Sequence, residues 1–554
     1  MQAASRKPQA ASRKPQATSH KPQATSRTRR LIVFAGRTAQ ALARLRYDVE
    51  PLFSRDERLR IAYALIPGSR FASGAPGFAE RNGIDLLPWT TARDLDPDLI
   101  VTSSPDPCLY EAGAPVVSLP HGAGHNRLRP ELSGVSGLSP EQIRGPEGQV
   151  PDLLALPGPA AARRLAIDCP EALPHAEVCG DVCFERLRAS AAARDAFRGA
   201  LGVAPSQQLV VLSSTWDVTA LARRDRTLPE RLHAELPLDE FALAYIPHPN
   251  DDLAGGPQPV GLLRPYLANG LIMVPPDEGW RAVVDAADCL IGDHGSVTFY
   301  AAALGVPTLL AAFGAGNMPP EMPLAHFGRS APRFDRSAPA APQIRAAIAA
   351  GPSAFDFADA LAEPVPGPAW RLHAAVYALL GLHAPPAPEP QPLPEPDTVP
   401  ECAPATSWSF ADRPGGWDRY PVSVPMRRER GHLVADLATE DDRLKTAANV
   451  LLRHRNPVPA PQARKTAERM LAEYPICRVA SVRTAEDTLL VSVRDGPRLR
   501  VKAVPDQLDV IPSRVYGLLE QRAQAVGLGV ADAVVHLQSG FDPAPAVSAA
   551  DALP

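Results

Sequence analysis

One short polar turn in this sequence combines residue types and a spacing that suit anion binding. The apolar run Cys289–Ile291 predicts a strand, and a helical pattern begins at Ser296. Unpaired amides and the positive end of the helix dipole favour an anion at a helix start, where Gly295 allows close approach and Ser296 and Thr298 add hydroxyl donors. The same pattern fits an ordinary turn that Asp293 or Ser296 caps. The turn therefore predicts either a phosphate site or a plain helix cap.

The elements around this turn repeat along most of the chain. Short apolar runs alternate with helical patterns over 31–180 and again over 181–383. This alternation predicts an α/β protein with two tandem Rossmann-like, doubly wound parallel sheets. Ligands bind outside the carboxyl ends of such strands, so we expect one cleft between the two facing domains.

The ends of the chain differ in composition from these two domains. Residues 1–30 carry a basic seven-residue repeat without acidic or large apolar side chains, and we expect a disordered tail. Either the tail is a solvated extension or it makes weak contact with nucleic acid or an anionic membrane. Residues 384–403 form an acidic, proline-rich linker. Residues 404–545 predict a small α+β accessory domain, whose expected role is protein interaction or regulation.

The accessory domain shows no catalytic cluster in its sequence. Its predicted helices are 441–454, 461–474 and 512–526, and its predicted strands are 478–482, 489–493, 498–503 and 533–537.

Composition sets limits on function. The 554 residues allow two to four domains, and a formal net charge of −4 excludes a general attraction of the whole molecule to nucleic acid. The seven scattered cysteines argue against a disulfide framework, and Cys179 and Cys183 lack a second pair at zinc-site spacing. No apolar run reaches the roughly 18 residues of a membrane span. We expect a cytoplasmic protein, or one peripheral at the inner membrane face.

Several motifs occur in a fixed order. The elements are Pro120-His121-Gly122, a glycine-containing turn at 178–187, a helix ending Leu201-Gly202, a strand ending Ser214-Thr215-Trp216, Ile246-Pro247-His248-Pro249 and Asp293-His294-Gly295-Ser296. In this order they resemble the CDP-glycerol glycerophosphotransferases. The resemblance implies a GT-B architecture, a nucleotide-diphosphate donor, an acceptor hydroxyl in cell-envelope polymer synthesis, and no required metal or cofactor.

A nucleotide-diphosphate donor would need binding residues in the second domain. A leaving phosphate gathers negative charge, so hydrogen-bond donors must be aimed at it in advance. The candidates for contact with the donor phosphates are His248, Asp293, Gly295, Ser296, Thr298, Ser214 and Thr215. Glu278 is a candidate for the ribose. Each has a structural alternative, such as a strand end before proline at His248 or a helix cap at Asp293 and Glu278.

The acceptor hydroxyl needs a base in the first domain. We select His121, because its strand ends at the cleft face and an imidazole titrates near neutral pH. His125 is the second candidate. Arg127 and Arg129 can bind an acceptor phosphate through paired hydrogen bonds.

Departures from the family pattern keep other functions open. His294 and Gly295 stand where the family has tyrosine and serine, which removes one hydroxyl from the phosphate turn. The stretch after Pro120 has few lysines, and the first domain lacks a basic amphipathic helix. The alternatives are an enzyme similar to UDP-N-acetylglucosamine 2-epimerases and a non-catalytic nucleotide-binding scaffold or sensor.

Overall fold

A computed structural model covers most of the chain. The described residues are 29–250, 263, 266–267, 269–275, 278–396, 406–413, 416–422, 431–503 and 508–524. The predicted tail lies outside this set except for Arg29 and Arg30, and Arg30 begins the first strand. The predicted strand 533–537 also lies outside it.

The N-terminal lobe contains a seven-stranded sheet in the order β3-β2-β1-β4-β5-β6-β7, and every pair is parallel. Its strands are β1 (Arg30–Gly36), β2 (Leu59–Leu65), β3 (Leu86–Pro88), β4 (Leu99–Thr102), β5 (Val116–Ser118), β6 (Leu153–Leu156) and β7 (Ala176–Val178). Its helices are α1 (Ala39–Arg44), α2 (Gly74–Arg81), α3 (Trp89–Arg93), α4 (Pro140–Ile143) and α5 (Pro159–Asp168). The central strands β4, β5, β6 and, after Arg30, β1 are buried and largely apolar, as a sheet covered on both faces requires.

The C-terminal lobe contains a five-stranded parallel sheet in the order β10-β9-β8-β11-β12. Its strands are β8 (Gln208–Ser213), β9 (Phe241–Ile246), β10 (Ile272–Met273), β11 (Cys289–Gly292) and β12 (Thr308–Leu310). Its described helices are α6 (Val182–Ser190), α7 (Arg194–Ala200), α8 (Leu221–Arg224), α9 (Leu228–Glu235), α10 (Trp280–Ala286), α11 (Ser296–Ala303), α12 (Pro323–Ser330), α13 (Ala340–Ala350) and α14 (Pro368–Leu379). The predicted fold class, two tandem parallel Rossmann-like sheets in a GT-B-like arrangement, is confirmed.

The two lobes are joined by more than the chain between them. Helix α14 follows the second sheet in sequence, yet Leu372, Val376 and Tyr377 pack into the core of the first sheet beside Phe53. The proline-rich segment also contacts the lobes, since the Leu393 amide donates to Ser190 Oγ at 3.0 Å. The described part of the predicted linker is therefore docked on α6.

The accessory domain is α+β, with a mixed seven-stranded sheet in the order β14-β13-β15-β16-β17-β18-β19. Its strands are β13 (Thr406–Arg413), β14 (Gly416–Pro421), β15 (Gly431–Asp436), β16 (Val450–Arg453), β17 (Val479–Ala485), β18 (Thr488–Val493) and β19 (Arg498–Lys502), and its described helices are α15 (Asp442–Ala447), α16 (Ala460–Glu473) and α17 (Ile511–Gln524). The predicted helix 441–454 is wrong, because α15 ends at Ala447 and β16 follows. Val450 and Leu451 are fully buried between parallel neighbours, where strand packing prevails over helical spacing.

The accessory domain meets the C-terminal lobe through Arg419. Its guanidinium lies 2.6 Å from Asp239 of the lobe and 3.4 Å from Asp509. Asp509 in turn contacts His454 Nδ1 at 2.6 Å, and His454 Nε2 lies 2.9 Å from Ser481 Oγ. This serine, histidine and aspartate arrangement is structural, because Ser481 is 0% exposed and no substrate can reach its hydroxyl.

Candidate functional site

A cleft with a volume of about 730 Å³ lies between the two lobes at the carboxyl ends of their strands. Its walls are the loops after β1, β2, β4 and β5 on one side and the loops after β8, β9 and β11 on the other. The volume lies within the range that pockets for small molecules and cofactors occupy. The sequence predicted a cleft at this position.

The predicted phosphate turn faces this cleft. His294, Gly295 and Ser296 line the cavity, and Ser296 begins the eight-residue helix α11. Gly295 is the N-cap and provides no side-chain cap, so the first-turn amides of α11 have no acceptor within the helix or from its cap. The turn thus combines a positive helix end with one open hydroxyl.

Asp293 is turned away from the cavity and organises the neighbouring loop. Its Oδ2 accepts the backbone amides of Thr215 and Leu221, each at 2.9 Å, and its Oδ1 accepts the amide of Gly295 at 2.9 Å. Asp293 is 1% exposed, and burial raises the pKa of its carboxyl against the opposing effect of His294 and these amides. The carboxylate holds the loop after β8 against the turn after β11.

His294, which stands where the resemblance expects a tyrosine, is fixed by two partners. The Gly314 amide donates to Nδ1 at 3.2 Å, and Nε2–H faces Asp217 Oδ2 at 3.0 Å. Burial would raise the pKa of Asp217, but hydrogen bonds from His294 and Thr219 outweigh it and lower the pKa below its usual value. Asp217 is therefore an anchored carboxylate at the cleft wall.

His248 lies at the end of β9 and reaches the opposite lobe. The Asn250 amide donates to its Nδ1 at 3.0 Å, and its Nε2 lies 2.6 Å from the side-chain nitrogen of Gln40 on α1. Because Nδ1 accepts, Nε2 carries the proton. The Gln40 side-chain oxygen accepts from Asn250 Nδ2 at 3.4 Å. Burial, with the charge of Arg127, lowers the pKa of His248 to about 3, so the ring is neutral at pH 7.

His121 and His125 occupy different environments on the loop after β5. His121 is exposed to the cavity, but protein atoms enclose it on most sides, and this burial within the cleft lowers its pKa below the ordinary value. His125 is 7% exposed and packs on Gly137, where a Cβ would lie 2.4 Å from its Nδ1. Burial lowers the pKa of His125 to about 4. Of the two, His121 has the open access that a base requires.

One hydrogen bond joins the loop of the predicted base to the predicted phosphate turn. The Ala123 amide, two residues after His121, donates to Ser296 Oγ at 3.1 Å. Gly122 permits this approach, since a Cβ there would lie 2.4 Å from Ser296 Oγ. The Ser296 hydroxyl accepts through its oxygen and retains its proton for a ligand. The loop of His121 is thereby set against the start of α11.

The two predicted acceptor arginines have acidic partners. Arg127 lies 2.9 Å from Asp217 of the opposite lobe, and its guanidinium stacks over Trp216 at 4.8 Å. Arg129 lies 2.5 Å from Glu131 and is exposed. Both line the cleft, and Arg127 acts as a bridge between the lobes.

Some predicted residues lie apart from the open part of the cavity. Thr298 is 1% exposed, and its hydroxyl packs at Gly292 without a hydrogen-bond partner in the described structure. Ser214 and Thr215 line the cavity, but the Ser214 hydroxyl is engaged by the Thr215 carbonyl at 2.8 Å and the Ala222 amide at 2.9 Å. Glu278 pairs with Arg281, and burial raises the pKa of its carboxyl.

The sequence reasoning missed a buried ionic cluster at the back of the cleft. Asp48 is 1% exposed, and its carboxylate forms ion pairs with Arg44 at 3.1 Å, Arg186 at 3.1 Å and Arg281 at 2.8 Å. Arg281 belongs to the C-terminal lobe, so the cluster ties it to the first helix region of the N-terminal lobe. The spacing of Arg44 and Asp48 by four residues is the one sequence signal for it.

Within the residues that the structure describes, no group of three or more histidine, cysteine, aspartate or glutamate side chains is placed to hold a metal ion. Among the described helices, none has both the length and the apolar character of a membrane span.

Comparison with known proteins gives similarity to solved structures only. No protein-family model matches the chain, and no curated protein matches its sequence. The wall teichoic acid polymerase TagF, in a structure soaked with CDPG, is 14% identical over 51% of this chain and 70% of that chain, with a TM-score of 0.37. The S. aureus MnaA-UDP co-structure is 10% identical over 64% of this chain and 99% of that chain, with a TM-score of 0.35.

A UDP-GlcNAc 2-epimerase from Neisseria meningitidis bound to UDP-GlcNAc is 11% identical over 50% of this chain and 82% of that chain, with a TM-score of 0.32. At these identities and TM-scores the similarities carry no argument about function.

Proposed function

We propose that the protein is a GT-B-like transferase that moves a glycerophosphate, alditol-phosphate or glycosyl group from a nucleotide-diphosphate donor to an acceptor hydroxyl. The donor is similar to CDP-glycerol or to a nucleotide sugar. The observation that carries the proposal is the Ala123 to Ser296 hydrogen bond, because it sets an open histidine beside an anion-binding helix start in one cavity.

The C-terminal lobe supplies the donor subsite. The Ser296 hydroxyl and the first-turn amides of α11 bind one phosphate, and the positive helix end stabilises the charge that gathers on the leaving group. His248 Nε2–H donates to the neighbouring phosphate once the substrate displaces Gln40. Asp293 keeps these groups in place through the loop amides it accepts.

The N-terminal lobe supplies the base. His121 is neutral at pH 7 because its pKa is lowered, so it can take the proton of the acceptor hydroxyl. The acceptor oxygen then bonds to phosphorus, or to the anomeric carbon of a sugar, while the bond to the nucleotide breaks. A nucleoside monophosphate leaves in the first case and a nucleoside diphosphate in the second. The residues do this without a metal ion or cofactor in the proposed scheme.

Incubation of the full chain with CDP-glycerol or UDP-N-acetylglucosamine and candidate alcohols tests the proposal. We expect release of CMP or UDP that depends on the acceptor. Conversion of the sugar's configuration at C2 instead would assign an epimerase. Binding of nucleotide without release of product from any donor would assign a sensor.

A further inference from the structure

Arginines on the cleft wall differ in their pairing. The cleft-lining arginines are Arg37, Arg44, Arg70, Arg127, Arg129 and Arg281. Arg37 pairs with Asp106 at 3.0 Å, and Arg44, Arg127, Arg129 and Arg281 have the acidic partners given above. Arg70 is exposed and has no ion pair within the described residues. It therefore brings a positive charge to the cleft that no acidic side chain there neutralises.

Aromatic rings hold the Arg70 guanidinium in place. Its central carbon lies 4.6 Å from the ring centre of Phe71 and 5.3 Å from that of Trp216. The two rings contact each other edge to face at 4.7 Å, with Phe71 from the N-terminal lobe and Trp216 from the C-terminal lobe. Stacking fixes the plane of a guanidinium and leaves its N–H groups free in that plane for a carboxylate or phosphate.

The position of Arg70 assigns it to the acceptor side. It lies on the loop after β2 in the lobe that carries His121, and both residues line the same cavity. The donor phosphates are accounted for by the start of α11 on the opposite wall. Arg127, which the sequence suggested for an acceptor anion, is engaged by Asp217.

We propose that Arg70 binds an anionic group, a phosphate or a carboxylate, on the molecule that carries the acceptor hydroxyl. The inference rests on the proposed transferase function of the cleft. Because Phe71 belongs to the N-terminal lobe and Trp216 to the C-terminal lobe, both lobes hold the guanidinium in place.

Calorimetric titration of the full chain, saturated with CDP, tests this with three alcohols: glycerol 3-phosphate, glycerate and glycerol. We expect at least one of the two anions to bind at least tenfold more tightly than glycerol. Arg70→Ala should weaken that binding about tenfold or more, and Arg70→Lys, which lacks the planar fork, should weaken it less. Arg60→Ala is the matched control, since Arg60 is an exposed arginine on β2 outside the cleft. It should bind like the unmodified chain.

The outcomes separate this proposal from the proposed function. Equal binding of all three alcohols, or unchanged anion binding in Arg70→Ala, would overturn the role of Arg70. Weaker CDP binding in Arg70→Ala would overturn it too, because the arginine would then serve the donor. Absence of CDP binding by the unmodified chain would count against the transferase, while anion binding that depends on Arg70 would still support the subsite. Unchanged thermal unfolding of the variants confirms that they fold.

Discussion

The two walls of the cleft are built differently. On the C-terminal wall, Asp293, Ser214, His294 and Asp217 are tied to backbone amides and to one another, and three of these four side chains are buried. On the N-terminal wall, Arg70 is exposed to the cavity without an ionic partner in the described structure, and His121, which lines the same cavity, is also exposed.

This difference matches the two tasks of the proposed transferase. Binding and stabilising a leaving phosphate calls for donors fixed before the substrate arrives, because reorganisation during the reaction would cost free energy. Proton transfer and acceptor binding call for side chains that an acceptor can reach. In the proposed scheme, the rigid wall serves the donor and the open wall serves the acceptor.

The largest expected effect is on the open wall. His121→Ala should lower turnover by about a hundredfold or more, because the acceptor proton loses its base, while the affinity for the nucleotide stays within twofold. Release of CMP or UDP and calorimetry measure the two quantities. His125→Ala is the comparison variant, and since His125 is buried we expect it to affect thermal unfolding more than turnover. Turnover that survives in His121→Ala would remove this residue from the mechanism.

On the rigid wall, Asp293→Asn should lower the stability of the fold rather than remove a direct contact with the nucleotide. Asparagine keeps only one side-chain oxygen, so either the Gly295 amide or the Thr215 and Leu221 amides lose their acceptor, which we expect to cost about 2 kcal/mol in the free energy of unfolding. Urea denaturation measures the change. A variant with unchanged stability but weaker nucleotide binding would show that Asp293 is a direct ligand and that this wall is less rigid than described.

A smaller effect on turnover is expected at the contact between Gly122 and Ser296, and a second substitution should partly reverse it. Gly122→Ala places a Cβ 2.4 Å from Ser296 Oγ and should push the His121 loop away, lowering turnover on the order of tenfold. Adding Ser296→Ala removes the oxygen and leaves 3.2 Å to the Ser296 Cβ, so turnover should recover in part. Ser296→Ala alone should weaken nucleotide binding several-fold. If the double variant is no faster than Gly122→Ala, the steric account of this contact is wrong.

The smallest expected effect is the pH dependence within the neutral range. Burial lowers the pKa of His121 below its ordinary value near 6.5, so the base is deprotonated and turnover is constant above that pH. As the pH falls below 6.5, protonation of His121 should reduce turnover, while His248, with a pKa of about 3, stays neutral. A pH profile from 5 to 9 tests this. An acid limb with a midpoint above pH 7 would contradict it.

The two parallel sheets and the loops that line the cleft could be predicted from the sequence, because buried parallel strands are continuous apolar runs and their carboxyl ends mark the cleft. The hydrogen-bond and ion-pair partners of the side chains could not be predicted from the sequence. Arg127 pairs with Asp217, which is 90 positions away in the sequence. Asp293 accepts the Thr215 amide, which is 78 positions away. Thr298 follows the helix start by only two residues, but the helical turn directs it to Gly292 and not into the cavity.

In the accessory domain, local spacing in the sequence predicted the wrong secondary structure. A polar stretch at 441–454 has helical spacing, yet its second half is a central strand because β15 and β17 flank it. Strand pairing between distant segments is not encoded in local periodicity. Strands β13 and β14, which are partly polar, were missed for the same reason.

The proposed function requires a nucleoside diphosphate to bind at the start of α11 in the interlobe cleft. Hydrogen–deuterium exchange of the full chain with and without CDP or UDP measures whether it does. We expect slower exchange at residues 294–298 together with 121–127, since the ligand would cover both walls. Protection confined to other parts of the chain, with these two segments unchanged, would contradict it.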